Sequence, residues 1–228
     1  MRICIYGAGA MGTSLGVLLD EMSLEFVSHD EAHVAAMNRS GALIEGALTR
    51  CVKVRAKLPS QMEGKYDIII LAVKQRENGA AAQFLLPFLK EDGALVTVQN
   101  GLPEPQLAEV FGDDRIYGCT LSWCAEKVAP GTVRVTSDTG FQLALGAYGK
   151  GEKLDAIAAL LSHAGTLTVG SLPEIRFAKL AINAAFSTLS AISGLSFYQL
   201  AKKYKKPVLG LMREVFAVPR FRRTGMTF

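Results

Sequence analysis

Three glycines near the amino terminus, Gly7, Gly9 and Gly12, have GxGxxG spacing within Gly7-Ala8-Gly9-Ala10-Met11-Gly12. That spacing suits a turn that cradles a pyrophosphate. The first glycine permits the tight bend, the second lets backbone approach the phosphates, and the third lets a helix pack closely on a strand. Helix-terminal amides then face the anion. An acid about 20 residues beyond such a turn hydrogen-bonds the ribose hydroxyls of NAD, and Asp30 fills that place. A carboxylate there repels a 2′-phosphate, and Glu31 follows where an NADP protein more often carries arginine, so these residues lean towards NAD. Arg39 or Arg50, folding back, would restore positive charge. The lesser alternative for Asp30 is a simple N-cap of the helical run that follows it.

The glycine turn needs a strand before it and a helix after it. Arg2 to Tyr6 is apolar and β-compatible, and Thr13 to Met22 is helix-compatible. A second strand, Glu25 to Ser28, precedes a helix over Glu31 to Ser40 that Gly41 stops. Asp67 to Val73 and Gly93 to Gln99 are runs suited to strands buried on both faces, the latter ending at Asn100-Gly101. Buried strands separated by helices predict an α/β fold with a parallel sheet. Between Gly118 and Leu145, turns at Pro130-Gly131 and Asp138-Thr139-Gly140 predict antiparallel edge structure. A helix over Glu152 to His163 and a short strand over Thr166 to Val169 close a Rossmann-type dinucleotide-binding domain, residues 1–170. Residues 171–228 read as a short, partial all-helical domain for substrate and dimerisation. Its helices run from Pro173 to about Ile192 and from Ser196 to about Val218.

The chain has 228 residues, of which 50% are hydrophobic and 20% charged, enough to bury a substantial core. A net charge of +4 is too mild and too dispersed for a nucleic-acid or anionic-membrane binder. Lys202, Lys203, Lys205 and Lys206 form the one dense charge run and read as a solvated helix end. Cys4, Cys51, Cys119 and Cys124 lack CxxC spacing and have no histidine cluster beside them. They predict no metal site and reduced, buried thiols in a cytoplasmic protein. The first residues lack the pattern of a signal peptide, and no run is long enough to span a membrane.

Three segments taken together, IYGAGAMG, the pair LAVK and VQNG, and FAKLAIN, resemble the ketopantoate reductases (2-dehydropantoate 2-reductases), from residue 1 to about 218. The resemblance implies reduction of a small 2-keto acid by NADPH, with Lys179 of FAKLAIN as the lysine near the carbonyl oxygen. Hydride arrival leaves an alkoxide that a positioned ammonium can stabilise and protonate as general acid. Asn183 matches an asparagine that binds substrate, and Ser187 stands where members often carry a second one. With Lys179 these follow i, i+4, i+8 spacing, which on one helix face presents a cation, an amide and a hydroxyl. Asn100 matches the asparagine placed between nicotinamide and substrate, and Lys74 a lysine near the cofactor. Cys124 lies where the family's backbone passes the nicotinamide. The family habit of NADP and the lean of Asp30 towards NAD leave both cofactors open.

Members of that family usually continue beyond position 228 with further helices, including a glutamate that helps close the site. The segment Ala217 to Phe228, with Pro219 and several arginines, reads as a truncation or an altered terminus. A helical part of about sixty residues is marginal alone, and an apolar face from Val208 to Val218 invites a homodimer. Two functions therefore stand side by side. One is a cytoplasmic reductase of the ketopantoate type; the other is a non-catalytic NAD(P)-binding relative serving as a redox-state sensor or remnant.

Overall fold

Strands without a polar face belong in the middle of a layered fold, and the Ile-rich run ending at Leu71 lies there. The computed structural model describes residues 1–19, 24–137 and 140–218. In chain order its strands are β1 (Ile3–Tyr6), β2 (Leu24–Val27), β3 (Ala42–Gly46), β4 (Arg50–Val52), β5 (Arg55–Lys57) and β6 (Tyr66–Leu71), followed by β7 (Leu89–Thr97), β8 (Ile116–Leu121), β9 (Cys124–Ala129), β10 (Thr132–Thr136), β11 (Gln142–Ala147) and β12 (Thr166–Val169). The helices are α1 (Ala10–Leu18), α2 (Glu31–Ser40), α3 (Asn78–Leu85), α4 (Glu104–Phe111) and α5 (Leu154–Leu161), followed by α6 (Leu172–Ile182), α7 (Thr188–Ser193), α8 (Phe197–Lys203) and α9 (Lys205–Phe216). The chain divides into two compact units, Met1–Gln99 with Pro103–Val169, and Asn100–Leu102 with Gly170–Phe228.

The first unit is built on an eight-stranded sheet of order β12-β11-β8-β7-β6-β1-β2-β5. From β5 to β8 every neighbouring pair is parallel, and only β8 and β11 pair antiparallel. Strand order reverses at β1, which lies between β2 and β6, and a reversal of this kind opens a crevice at the carboxyl ends of the strands. Successive residues of a strand face opposite layers. Accordingly Ile3, Ile5, Ile68 and Ile70 pack with Leu15 of α1 and Ile157 of α5. Cys4, Tyr6, Ile69 and Leu71 pack with Leu85 of α3 and Leu107 of α4.

The segment expected as antiparallel edge structure divides between two sheets. While β8 and β11 join the main sheet, β9 and β10 form an antiparallel pair in a four-stranded sheet of order β4-β3-β10-β9. Here β10 runs parallel to β3. Helix α1 packs on both sheets, which is why it is apolar nearly all round and buried from Gly12 to Leu18. Trp123 closes that layer, its indole N–H donating to Ser14 Oγ at 3.0 Å. The expected helix from Thr13 begins earlier, at Ala10, and the expectation for 20–22 lies outside the described residues. The turn at 138–139 lies outside them too. Only Cys4 and Cys119 are buried thiols; Cys51 and Cys124 are exposed, Cys51 because it alternates with the buried Val52 on β4 and Cys124 because it opens β9, no residue of which is buried.

At the amino edge of the main sheet Glu25 gathers three partners. Tyr66 Oη donates to its carboxylate at 2.6 Å, Arg2 at 3.1 Å, and Lys57 lies 3.3 Å away. Burial pushes the Glu25 carboxyl up, but the hydrogen bonds from Tyr66, Arg2 and Lys57 outweigh it, so the group sits below its ordinary value of 4.5. A lowered carboxyl contributes stability above its unfolded pKa and loses it as pH falls through the folded one. Glu25→Gln is expected to cost about 2 kcal/mol at neutral pH and to flatten the decline in stability that the wild type shows below pH 4.5. Urea titrations across pH read both; equal acid sensitivity in the two proteins contradicts the assignment.

In the second unit α6 runs through a π-helical turn, Asn183–Ser187, into α7, which ends at Gly194 in the left-handed region. Ser196 and Gln199 form a capping box that starts α8. The single helix expected from Ser196 to Val218 is two, broken at Tyr204. Pro207 supplies the reason, since it has no N–H to donate back and its ring clashes with the carbonyl four residues earlier. The first part of the apolar stripe expected over Val208 to Val218 packs within this unit, while Val218 is exposed. Val208 is buried in one cluster with Ala185 and Leu200, and Leu211 and Met212 lie against it. Pro219 and the arginines after it lie outside the described residues.

Candidate functional site

The turn between β1 and α1 is shaped by contacts the protein makes with itself. Gly7 has φ +93°, and a Cβ there would lie 2.6 Å from Val73 N. The amides of Gly7 and Ala8 both donate to Val27 O, at 2.9 and 2.8 Å. A Cβ on Gly12 would meet Gly7 O at 2.5 Å and Ile5 Cγ2 at 3.1 Å. Gly9 differs, because a Cβ there would find nothing nearer than Gly7 O at 4.0 Å. Two of the three glycines are thus required by the fold itself, while the bare backbone of the third faces open space. The first-turn amides of α1, from Ala10 to Gly12, have no acceptors within the helix. An open, side-chain-free turn at a helix start, in the crevice where strand order reverses, fits the pyrophosphate of a dinucleotide.

Behind this turn lies His33, fully buried on α2. Gly131 N donates to its Nδ1 at 2.9 Å, which leaves the ring proton on Nε2, 3.1 Å from Thr13 Oγ1. Thr13 in turn donates to Ala8 O at 3.2 Å. Burial holds His33 below the ordinary histidine range, the charge of Lys127 adds to this, and Asp30 opposes it in part. A neutral imidazole therefore ties the glycine turn to the β9–β10 hairpin. No local pattern marks this role, since Thr13 and Gly131 lie far from His33 in the chain.

Asp30 follows β2 and caps α2, Oδ1 accepting from His33 N at 2.9 Å. Its other oxygen pairs with the ammonium of Lys127 on β9. That hydrogen bond, followed by the His33 amide, pulls the Asp30 carboxyl below its ordinary range. Lys127 supplies a positive charge beside Asp30. Arg39 is in the last turn of α2, and Arg50 is on β4.

The ends of β6 and β7 are locked to each other by Gln99. Its Nε2 donates to Val73 O at 2.8 Å and to Asn78 Oδ1 at 2.6 Å, while its Oε1 accepts from Thr97 Oγ1 at 2.9 Å. This bridge fixes the chain on either side of Lys74, which is exposed, and just before Asn100. Neither Gln99 nor Asn78 was singled out in the sequence, where both resemble ordinary loop residues. Cys124 opens β9 and is exposed.

In the second unit Asn183 Nδ2 donates to Asn100 Oδ1 at 3.4 Å, so two of the sequence-derived candidates meet. Lys179, half-buried, stands one helical turn before Asn183 on α6. The uninterrupted α-helical face expected for Lys179, Asn183 and Ser187 is not formed. The π turn changes the helical period between Asn183 and Ser187, and Ser187 is exposed while the other two are half-buried. Among the described residues no group of three or more His, Cys, Asp or Glu side chains could hold a metal ion, and no single helix is long and apolar enough to cross a membrane.

A family model described as ketopantoate reductase PanE/ApbA matches residues 3–150. A 2-dehydropantoate 2-reductase of Mesorhizobium japonicum is 28% identical over 222 residues, covering 85% of this chain and 68% of its own length. One from Nostoc sp. is 27% identical over 209 residues, covering 84% of this chain and 63% of its own length. This chain thus spans about two thirds of the length of such curated relatives. The crystal structure of 2-dehydropantoate 2-reductase from Geobacter metallireducens superposes with a TM-score of 0.84 at 27% identity, over 95% of this chain and 74% of that one.

Proposed function

Since the chain belongs to the ketopantoate reductase PanE/ApbA family, we propose that it reduces a small 2-keto acid of the 2-dehydropantoate type with a nicotinamide dinucleotide. The observation that carries this reading is the Asn183–Asn100 hydrogen bond, which brings two amides together one helical turn from Lys179. Gly7 to Gly12 and the first-turn amides of α1 would hold the pyrophosphate, and Asp30 would face the adenosine ribose. Lys74, Asn100 and Cys124 would lie along the nicotinamide half. When bound, the nicotinamide supplies the hydride that reduces the keto carbon.

The chain's own residues do the rest. Lys179 holds a proton on Nζ at the carbonyl oxygen and gives it up as negative charge develops there, so the new alkoxide becomes a hydroxyl, the product leaves as a 2-hydroxy acid, and the amine regains its proton from solvent. Asn183 and Asn100 orient the keto acid by amide hydrogen bonds, with the hydroxyl of Ser187 as a further donor or acceptor beyond the π turn. We place the reaction in the cytoplasm.

The direct test mixes purified protein with NADPH or NADH and a panel of 2-keto acids that includes 2-dehydropantoate, and follows cofactor absorbance. Oxidation dependent on one of the acids is the expected result. Tight dinucleotide binding with no oxidation on any acid would instead support the sensor.

A further inference from the structure

Resting on the dinucleotide reading above, we infer that Lys127 decides which dinucleotide the site accepts: it masks the charge of Asp30 and presents an ammonium to an adenosine 2′-phosphate. Asp30 occupies the position from which an acid normally binds both ribose hydroxyls and excludes NADP. Here both of its oxygens are engaged, one by the His33 amide and the other by Lys127. A carboxylate so occupied has less to offer two hydroxyls, and its repulsion of a phosphate is largely cancelled by the adjacent cation.

Lys127 is also well placed to serve a ligand. An ammonium has three N–H donors, and among the described residues Asp30 is the side chain with which Lys127 pairs. Its side chain is 40% exposed, so a phosphate can reach the remaining donors. The strand that carries it is held against α2. Gly131, at the hairpin tip with φ +77°, donates to His33, and a Cβ there would come within 3.1 Å of Ala36 Cβ. His33 couples electrostatically to both members of the pair, and Glu31 and Glu126 adjoin them in the chain on α2 and β9.

The test is binding rather than turnover, measured by calorimetry with NADP⁺ and NAD⁺, and with adenosine 2′,5′-bisphosphate against AMP to isolate the 2′-phosphate. Wild-type protein is expected to bind NADP⁺ at least as tightly as NAD⁺. Lys127→Met should weaken NADP⁺ and the bisphosphate by about ten- to a hundredfold, the range of a lost charge-assisted hydrogen bond. It should leave NAD⁺ and AMP unchanged or tighter, as Asp30 is released to the ribose. Lys127→Arg should restore the wild-type ratio. A ratio that stays within about twofold in Lys127→Met overturns the inference while leaving the dinucleotide site intact. A wild type that binds NAD⁺ but rejects NADP⁺ overturns it as well. Wild-type protein that binds neither dinucleotide removes the reading of the site and this inference together.

Discussion

Lys179→Ala should lower kcat by roughly 10²–10⁴-fold, the usual contribution of a positioned general acid, while dinucleotide affinity measured by calorimetry stays within about twofold. The separation matters because the residue belongs to α6, whereas the glycine turn and Asp30 belong to the other unit. Lys179→Arg should rescue little, for a guanidinium keeps the charge but does not release its proton near neutral pH. A lysine that only covered helix surface would tolerate both changes with kcat intact. A fall in dinucleotide affinity equal to the fall in kcat would point to cofactor binding instead of proton donation.

The glycine turn supports a second expectation of comparable size, and its two arms act on different quantities. Gly7→Ala places a Cβ 2.6 Å from a backbone nitrogen at φ +93°. Neither atom is a flexible side-chain end, so the variant should lose about 3 kcal/mol of stability or fail to fold. Gly9→Ala places its methyl 4.0 Å from the nearest heavy atom, at a negative φ of −86°. Its stability should therefore stay within about 0.5 kcal/mol of wild type. Dinucleotide affinity, however, should fall by at least about tenfold as the methyl occupies the space of the pyrophosphate. Thermal melts with and without NADPH separate the arms. A Gly9→Ala protein with unaltered affinity would show that the turn carries no phosphate.

What the sequence revealed and what it concealed follow from the range over which each feature is determined. The strand, turn and helix at Ile3 to Leu18, the helix Glu31–Ser40 and the buried strand ending at Leu71 are set by neighbours a few residues away. The smaller sheet was missed because β4 has three residues and no run of apolar positions, and β3 finds its partner β10 far along the chain. The same reason hid Lys127, which reaches Asp30 across 97 residues, and the buried contacts of His33. The family resemblance, rather than spacing, singled out Lys179, Asn183 and Asn100, and the i, i+4, i+8 face assumed one helical period through Ser187, which the π turn does not keep. Pro207 is the sequence signal for the split of the last helical run at Tyr204.

The parallel pairing of β3 with β10 also governs the order in which the molecule assembles. Arg134 and Glu45 meet across it from 89 residues apart. Joining such distant stretches demands loop entropy before any contact repays it, so pairing of this type is slow compared with local turns and helices. On a ribosome the smaller sheet cannot close until the chain through Thr136 has emerged, and the cation opposite Asp30 becomes fixed only then. A nascent chain ending before β9 would carry the glycine turn with α1 still bare on one side, an apolar surface that invites chaperones or aggregation until the sheet covers it.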